Sequence, residues 1–223
     1  MNYVTLFNKF YNDCYKKYCN YGCYNFKLLD EQCGTVKENT HTNILMKLLE
    51  YRNQYGYVFF EDFISSLTSF NINLITGDKI KFKKEYFART NGKQGRIDGL
   101  IYQENNFAII LENKVNRAPN QDDQLERYIK HIIGEDAKKE ILVDLNHVYI
   151  IYLTQAGVEE PDEESRKYMM EIGILNKTDN STERDEPLTG PRYFSCSYLD
   201  HILPWLEERV LPIVMQKEIM LKK

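Results

Sequence analysis

Between Gly95 and Asn116 the chain reads GRIDGLIYQENNFAIILENKVN, two apolar runs hinged on Glu104-Asn105-Asn106. The second run, FAIIL, has no polar residue at alternate positions, so a strand made from it must be buried on both faces. Yet it ends in a carboxylate, an amide and an ammonium: Glu112, Asn113 and Lys114. A hairpin closed at this turn pairs residues whose numbers sum to about 210, which sets Asp98 opposite Glu112. Side chains two apart on a strand share a face, so Glu112 and Lys114 point the same way, while Asn113 keeps its backbone carbonyl close by. Two acids and one lysine are thereby collected at one rim of a sheet.

The flanking patterns supply the rest of the domain. Ile44, Leu45, Leu48 and Leu49 in TVKENTHTNILMKLLEY repeat at helical spacing; Thr35 with Glu38 forms a capping box, or Asn39 or Thr40 caps a later start. Phe59, Phe60, Phe63, Ile64 and Leu67 mark a second helix, ending before Asn71. KIKFKKEYFART alternates and predicts a strand with Ile80, Phe82 and Tyr86 inward. PNQDDQLERYIKHIIG predicts a helix opened by Pro119 and Asn120 and closed by Gly134. HVYIIYLT and RYFSCSY predict further strands, and YLDHILPWLEERVLPIVMQKEIM a helix broken at Pro204 and Pro212. This order predicts an α/β fold, a mixed central sheet flanked by helices. Residues 1–223 read as one domain, with an aromatic, cysteine-rich helical segment at 1–35 and an acidic, irregular insertion at 155–190.

Composition narrows the function. The net charge of −4 argues against a protein that coats nucleic acid through its overall charge. No apolar run approaches the length of a membrane span and the first twenty residues lack a signal-peptide core, so a cytoplasmic protein is expected. Cys14, Cys19, Cys23 and Cys33 lack the C-x-x-C pairs of a zinc site, and with Cys196 they read as free thiols.

Two carboxylates facing each other at a sheet rim repel unless a cation lies between them. Oxygen-only ligands suit Mg²⁺ or Mn²⁺, with Asp98, Glu112 and Asn113 as the expected metal-binding positions. Such an ion acidifies water and stabilises charge on a phosphate, and Lys114 beside it can orient the attacking water and offset phosphate charge. Gln124 and Tyr128, four apart on one helical face, can bond phosphate or position Lys114. A salt-bridged cluster without catalysis is the plain alternative.

These segments resemble the PD-(D/E)xK nuclease superfamily, and within it the family-4 branch of bacterial nuclease-like proteins. RID at 96–98, ENK at 112–114 and QLERY at 124–128 carry the resemblance. ENTHTNILMKLL at 38–49, YLT at 152–154 and SYLDHILPWL at 197–206 are similar to outer parts of that branch. The resemblance implies a restriction-endonuclease-like core, Asp98 and Glu112 as metal ligands and Lys114 as the catalytic lysine. It implies Glu38 as a helix-borne acid assisting the metal or its water, with Gln124 and Tyr128 in support. Gly95-Arg96-Ile97 replaces the proline of the superfamily's name. His41, on the same helical face as Glu38, reads as a supporting partner or as a capping or packing residue.

Between Lys79 and Arg96 seven basic residues face one acid, Glu85. Lys81, Lys83, Arg89, Lys93 and Arg96 are the expected nucleic-acid contacts, a local basic field on an acidic chain. Glu85 reads as a further site acid or a surface ion pair. No base-reading motif accompanies them. The expected function is metal-dependent hydrolysis of phosphodiester bonds, with DNA as the expected substrate. The alternative is a catalytically inactive nucleic-acid- or protein-binding module that retains the nuclease fold; a third reading makes the acidic 159–186 loop a partner-binding surface.

Overall fold

The computed structural model describes residues 38–74, 79–90, 92–114, 121–134, 141, 143–155, 157, 159–176 and 188–213, the side chains of 38–40 excepted. The readings of the 1–35 segment, Pro119 and Asn120 lie outside the described residues.

One mixed sheet organises the described chain. Its strands are β1 (Lys81–Thr90), β2 (Lys93–Gln103), β3 (Phe107–Asn113), β4 (Val148–Thr154), β5 (Thr189–Gly190) and β6 (Tyr193–Ser197), in the order β1-β2-β3-β4-β6-β5. β1, β2 and β3 run antiparallel, β3, β4 and β6 parallel, and β5 returns antiparallel to β6. The β2–β3 ladder runs from Gly99↔Leu111 to Gln103↔Phe107. That is the register turn symmetry requires, and Asn105 closes the turn in the left-handed region (φ 57°).

Helices cover both faces, as the doubly apolar β3 and β4 demand. Every residue of these two strands is buried. On one face Ile101, Ile109, Leu111 and Ile151 pack beneath α1 (Glu38–Leu49), α2 (Val58–Leu67) and a C-terminal helical segment bearing Trp205. On the other, Leu100, Ile110 and Ile150 meet Leu125, Ile129 and Met169 of α3 (Gln124–Ile133) and α4 (Glu163–Glu171). The expected α/β architecture is present.

Four details depart from the sequence reading. α1 already includes Glu38, which overturns the alternative start capped by Asn39 or Thr40, while the Thr35 cap lies outside the described residues. α3 begins at Gln124, with Asp123 before it in a left-handed conformation (φ 53°), so Asp122 and Asp123 precede the helix expected to open at Pro119 and Asn120. The 155–190 stretch is not wholly irregular: Asp162 caps α4 through the Ser165 N–H, and Met169 anchors it fully buried. The C-terminal helix is not broken at Pro204 or Pro212. π-helical turns at Tyr198–Ile202 and Leu206–Val210 flank the α-helical Leu203–Trp205. Leu203 N–H bonds the Tyr198 carbonyl and Leu211 N–H the Leu206 carbonyl, each five residues back and just ahead of a proline. This widening accommodates a ring that a regular turn would clash with.

The β1–β2 hairpin changes faces along its length. Ile101 and Gly99 turn toward α1, where a Cβ on Gly99 would stand 3.0 Å from the Met46 sulfur. Ile97 and Gly95, of the same parity, turn instead toward α3. On β1, Phe82 packs with the α1 layer, whereas Tyr86 and Ala88 pack with the α3 layer. The switch falls at Glu85 and Asp98, the one position the β1–β2 ladder skips, and Glu85 there has a left-handed backbone (φ 50°).

The switch brings Gly95 against Tyr128, where a Cβ would stand 2.6 Å from the ring. Gly95→Ala is therefore expected to destabilise the protein by about 1–3 kcal/mol through overpacking, measured by urea denaturation; an unchanged midpoint would refute the contact.

Candidate active site

The hairpin register and the end of β3 bring the predicted cluster together. Glu112 and Asn113 close β3, and the Lys114 N–H bonds the Leu153 carbonyl of β4 at 2.7 Å, extending the parallel ladder past the strand end. Glu112 and Lys114 point to the α3 side, as alternation predicts. Asn113 points to the α1 side, where its amide donates to Thr42 Oγ1 at 2.9 Å. Its backbone N–H donates to Asp98 Oδ2 at 2.9 Å, holding that carboxylate across from the β3 end.

Glu112 and Lys114 are only 3% and 5% exposed, so their charges need partners within the protein. Lys114 Nζ lies 2.9 Å from Glu112 Oε1 and donates to Gln124 Oε1 at 3.0 Å. The Gln124 amide nitrogen donates to Glu112 Oε1 and to the Tyr128 hydroxyl, both at 2.9 Å. Tyr128 in turn donates to the Arg96 carbonyl at 2.8 Å. Gln124 can satisfy all of these in one amide orientation only, oxygen toward the ammonium and nitrogen toward the carboxylate.

Glu112 Oε2, by contrast, is buried and has no hydrogen-bond partner among the described residues. Burial first, and the nearby Asp98 charge second, raise the Glu112 carboxyl to about 8 against the lowering effects of Lys114 and Gln124. Burial also pushes the Tyr128 phenol up to about 12, so it serves as a neutral donor. A buried carboxylate oxygen without a donor, next to a second carboxylate, fits a hard divalent cation. Asp98 and Glu112 are the side-chain ligands available, with the Asn113 carbonyl beside them. Among the described residues no group of three or more His, Cys, Asp and Glu converges, and the side chain of the expected third acid, Glu38, lies outside the described residues.

The remaining candidates are more dispersed. His41 is buried edge-on to Tyr198, with ring centroids 5.4 Å apart, and burial holds its imidazole down to about 4. Lys81 pairs with Glu104 at the far end of the hairpin, and Lys93 with Asp123 at 2.5 Å. Arg96 pairs with Glu85 at 3.2 Å, which makes Glu85 an ion-pair partner. Lys83 and Arg89 are exposed, and no acid among the described residues forms an ion pair with either.

Supporting residues that the sequence reading missed lie on α1 and α4. Thr42 orients Asn113. Ser165 does the capping that Asp123 does not: its hydroxyl accepts from the Leu125 N–H at 3.0 Å and donates to Asp162 at 2.7 Å. The start of α3, and with it Gln124, is thus pinned to α4. Asp162-x-x-Ser165 was legible as a cap for α4, but nothing local links it to a helix 40 residues earlier.

The sequence profile of a PD-(D/E)XK nuclease superfamily family matches residues 26–220. The chain belongs to this nuclease family, its family-4 branch. No curated protein and no solved structure matches it.

Glu112 titrates higher in the folded protein than the usual 4.5. Below that pH both folded and unfolded chains hold the proton and the group contributes nothing. Between about 4.5 and 8 the folded state keeps a proton that the unfolded chain releases, so its contribution erodes stability as pH rises. In metal-free protein, Glu112→Gln is expected to remove a pH-dependent loss on the order of a few kcal/mol between pH 5 and 8.5. Thermal unfolding at both pH values measures this; an equal pH dependence in wild type and variant would show that Glu112 is not held protonated.

Proposed function

We propose that this chain is a metal-dependent nuclease that hydrolyses phosphodiester bonds, with DNA as substrate. The observation that carries the reading is the half-satisfied Glu112: its Oε1 is held by Lys114 and Gln124, while Oε2 has no donor and Asp98 lies alongside. Asp98 and Glu112, with the Asn113 carbonyl, would hold Mg²⁺ or Mn²⁺. Bound there, the ion would supply Lewis-acid stabilisation of phosphate charge and acidify water for attack.

The chain's own groups divide the remaining work. Lys114, fixed by Glu112 and Gln124, presents its ammonium at the rim to orient water and to offset charge growing on the phosphate. Gln124 fixes the direction of that ammonium, and Tyr128 fixes Gln124 through its bond to the Arg96 carbonyl. Glu38 is the proposed helix-borne acid. Lys83 and Arg89 are the proposed phosphate-backbone contacts, supported by their exposure and lack of an acidic ion-pair partner among the described residues. Lys81, Lys93 and Arg96 would have to exchange their present partners for phosphates. A second reading, a catalytically silent module, is favoured by one observation: the Lys114 ammonium is already held inside the protein by Glu112 and Gln124.

Cleavage of plasmid and oligonucleotide substrates with Mg²⁺ or Mn²⁺ separates the two. Asp98→Ala and Lys114→Ala are each expected to lower the rate by about 10²- to 10³-fold or more. Cleavage unchanged in both variants, or absent from the wild type with either metal, would overturn the nuclease reading. Mg²⁺ or Mn²⁺ is further expected to raise the thermal midpoint of the wild type and not of Asp98→Ala. Equal shifts in both would place the ion elsewhere.

A further inference from the structure

Phe87 lies in the middle of β1 and is 75% exposed. A large aromatic on an edge strand is an unusual residue to leave in water, since edges are commonly guarded by charge. It points away from α3, because its neighbours Tyr86 and Ala88 pack with the α3 layer. Across the ladder it pairs with Arg96, and the next pair on that face is Arg89↔Gln94. The face therefore carries one bare aromatic ring among guanidinium and amide groups. The only acid in this stretch, Glu85, is held by Arg96.

This face leads to the candidate site. Arg96 precedes Asp98 by two residues on β2, about 7 Å along a strand. Asp98 sits where the hairpin changes faces and is only half-buried, whereas Glu112 and Lys114 are enclosed. It is thus the member of the cluster that borders the exposed face. A strand of nucleic acid whose phosphates follow Arg89 and Arg96 could lay an unpaired base on Phe87 next to the phosphate at Asp98. A paired base has its faces already stacked within the duplex and has no face to offer the ring.

We infer that Phe87 is a base-stacking residue, and that the β1–β2 hairpin selects single-stranded DNA, or a frayed duplex end, as the substrate of the adjacent site. The inference rests on the nuclease reading for its biological sense, but its test does not need cleavage. Arginine around an aromatic platform is the combination that binds single strands without reading sequence.

The experiment measures binding by fluorescence anisotropy in EDTA, using a mixed-sequence single-stranded DNA oligonucleotide, the blunt duplex of the same sequence and the matching RNA. Wild type is expected to bind the single-stranded DNA more tightly than the duplex. Phe87→Ala is expected to weaken single-strand binding about 5- to 100-fold while leaving duplex binding and the thermal midpoint unchanged, and Phe87→Trp is expected to retain it. Equal single-strand affinity in wild type and Phe87→Ala would overturn the inference, as would an equal loss on duplex, or tighter binding of RNA than of DNA. A wild-type dimer that becomes monomeric in Phe87→Ala with DNA affinity unchanged would also overturn it, and would assign the ring to a contact between copies. Loss of cleavage in Phe87→Ala on single strands alone would extend the inference to catalysis. Failure of the nuclease reading shows separately, as cleavage that does not depend on Asp98 and Lys114.

Discussion

A carboxylate buried at the end of a fully enclosed strand is the constraint from which much of this structure follows. Taking Glu112 out of water costs several kcal/mol unless its charge is met, and one lysine does not suffice, because the ammonium must be satisfied as well. Gln124 meets both with a single amide, which requires α3 to stand at a fixed distance and rotation over β3. Three contacts fix it there. Tyr128 reaches the Arg96 carbonyl, Gly95 leaves room for the Tyr128 ring, and Ser165 caps the helix start. Hairpin, helix and insertion are therefore not separate ornaments on a sheet; each is needed to hold one oxygen of Glu112.

The other oxygen is the informative one. A cluster serving only stability would be expected to satisfy both, since an unmet buried acceptor is destabilising and native proteins carry few. Here the donors converge on Oε1 and Oε2 is left without one, while the charge of nearby Asp98 works against ionisation. The protein tolerates that arrangement at the residue proposed as a metal ligand. Local destabilisation offset elsewhere in the fold is the usual mark of a working site.

The parts legible in the sequence are those set by short-range rules. Asn105 in the turn and the alternation around it fix the β2–β3 register, so the approach of Asp98 to the end of β3 could be read from numbering alone. The doubly apolar FAIIL and VYIIYL runs required cover on both faces. What was not legible depends on geometry far along the chain. Ser165 caps a helix whose own Asp123 has turned its carboxylate to Lys93 and Arg127. α4 hid among acids because only a few of its residues, Ser165 and Met169 among them, face inward. Counting charges correctly found a basic hairpin but could not show that Lys81, Lys93 and Arg96 have acidic partners while no ion pair is formed by Lys83 or Arg89 among the described residues. The prolines of the C-terminal helix misled for a related reason: the rule that proline breaks a helix assumes a regular turn before it, and here that turn is widened.

The inversion at Glu85 and Asp98 ties these observations to one another. A non-glycine residue in the left-handed region is uncommon and disfavoured, yet the hairpin places one directly opposite the acid of the site. With unbroken alternation, Gly95 and Ile97 would share the face of Gly99 and turn toward α1. Ile97 would leave the α3 layer, and Tyr128 would lose the glycine beneath its ring. Crossing over at this point lets the near half of the hairpin build the sheet's core under α1 while the far half packs beneath α3. The same crossing turns Phe87, Arg89 and Arg96 outward on the side α3 does not cover. One unusual backbone conformation thus anchors the helix that holds Glu112 and exposes the surface that leads to Asp98. Relaxing it would cost both together.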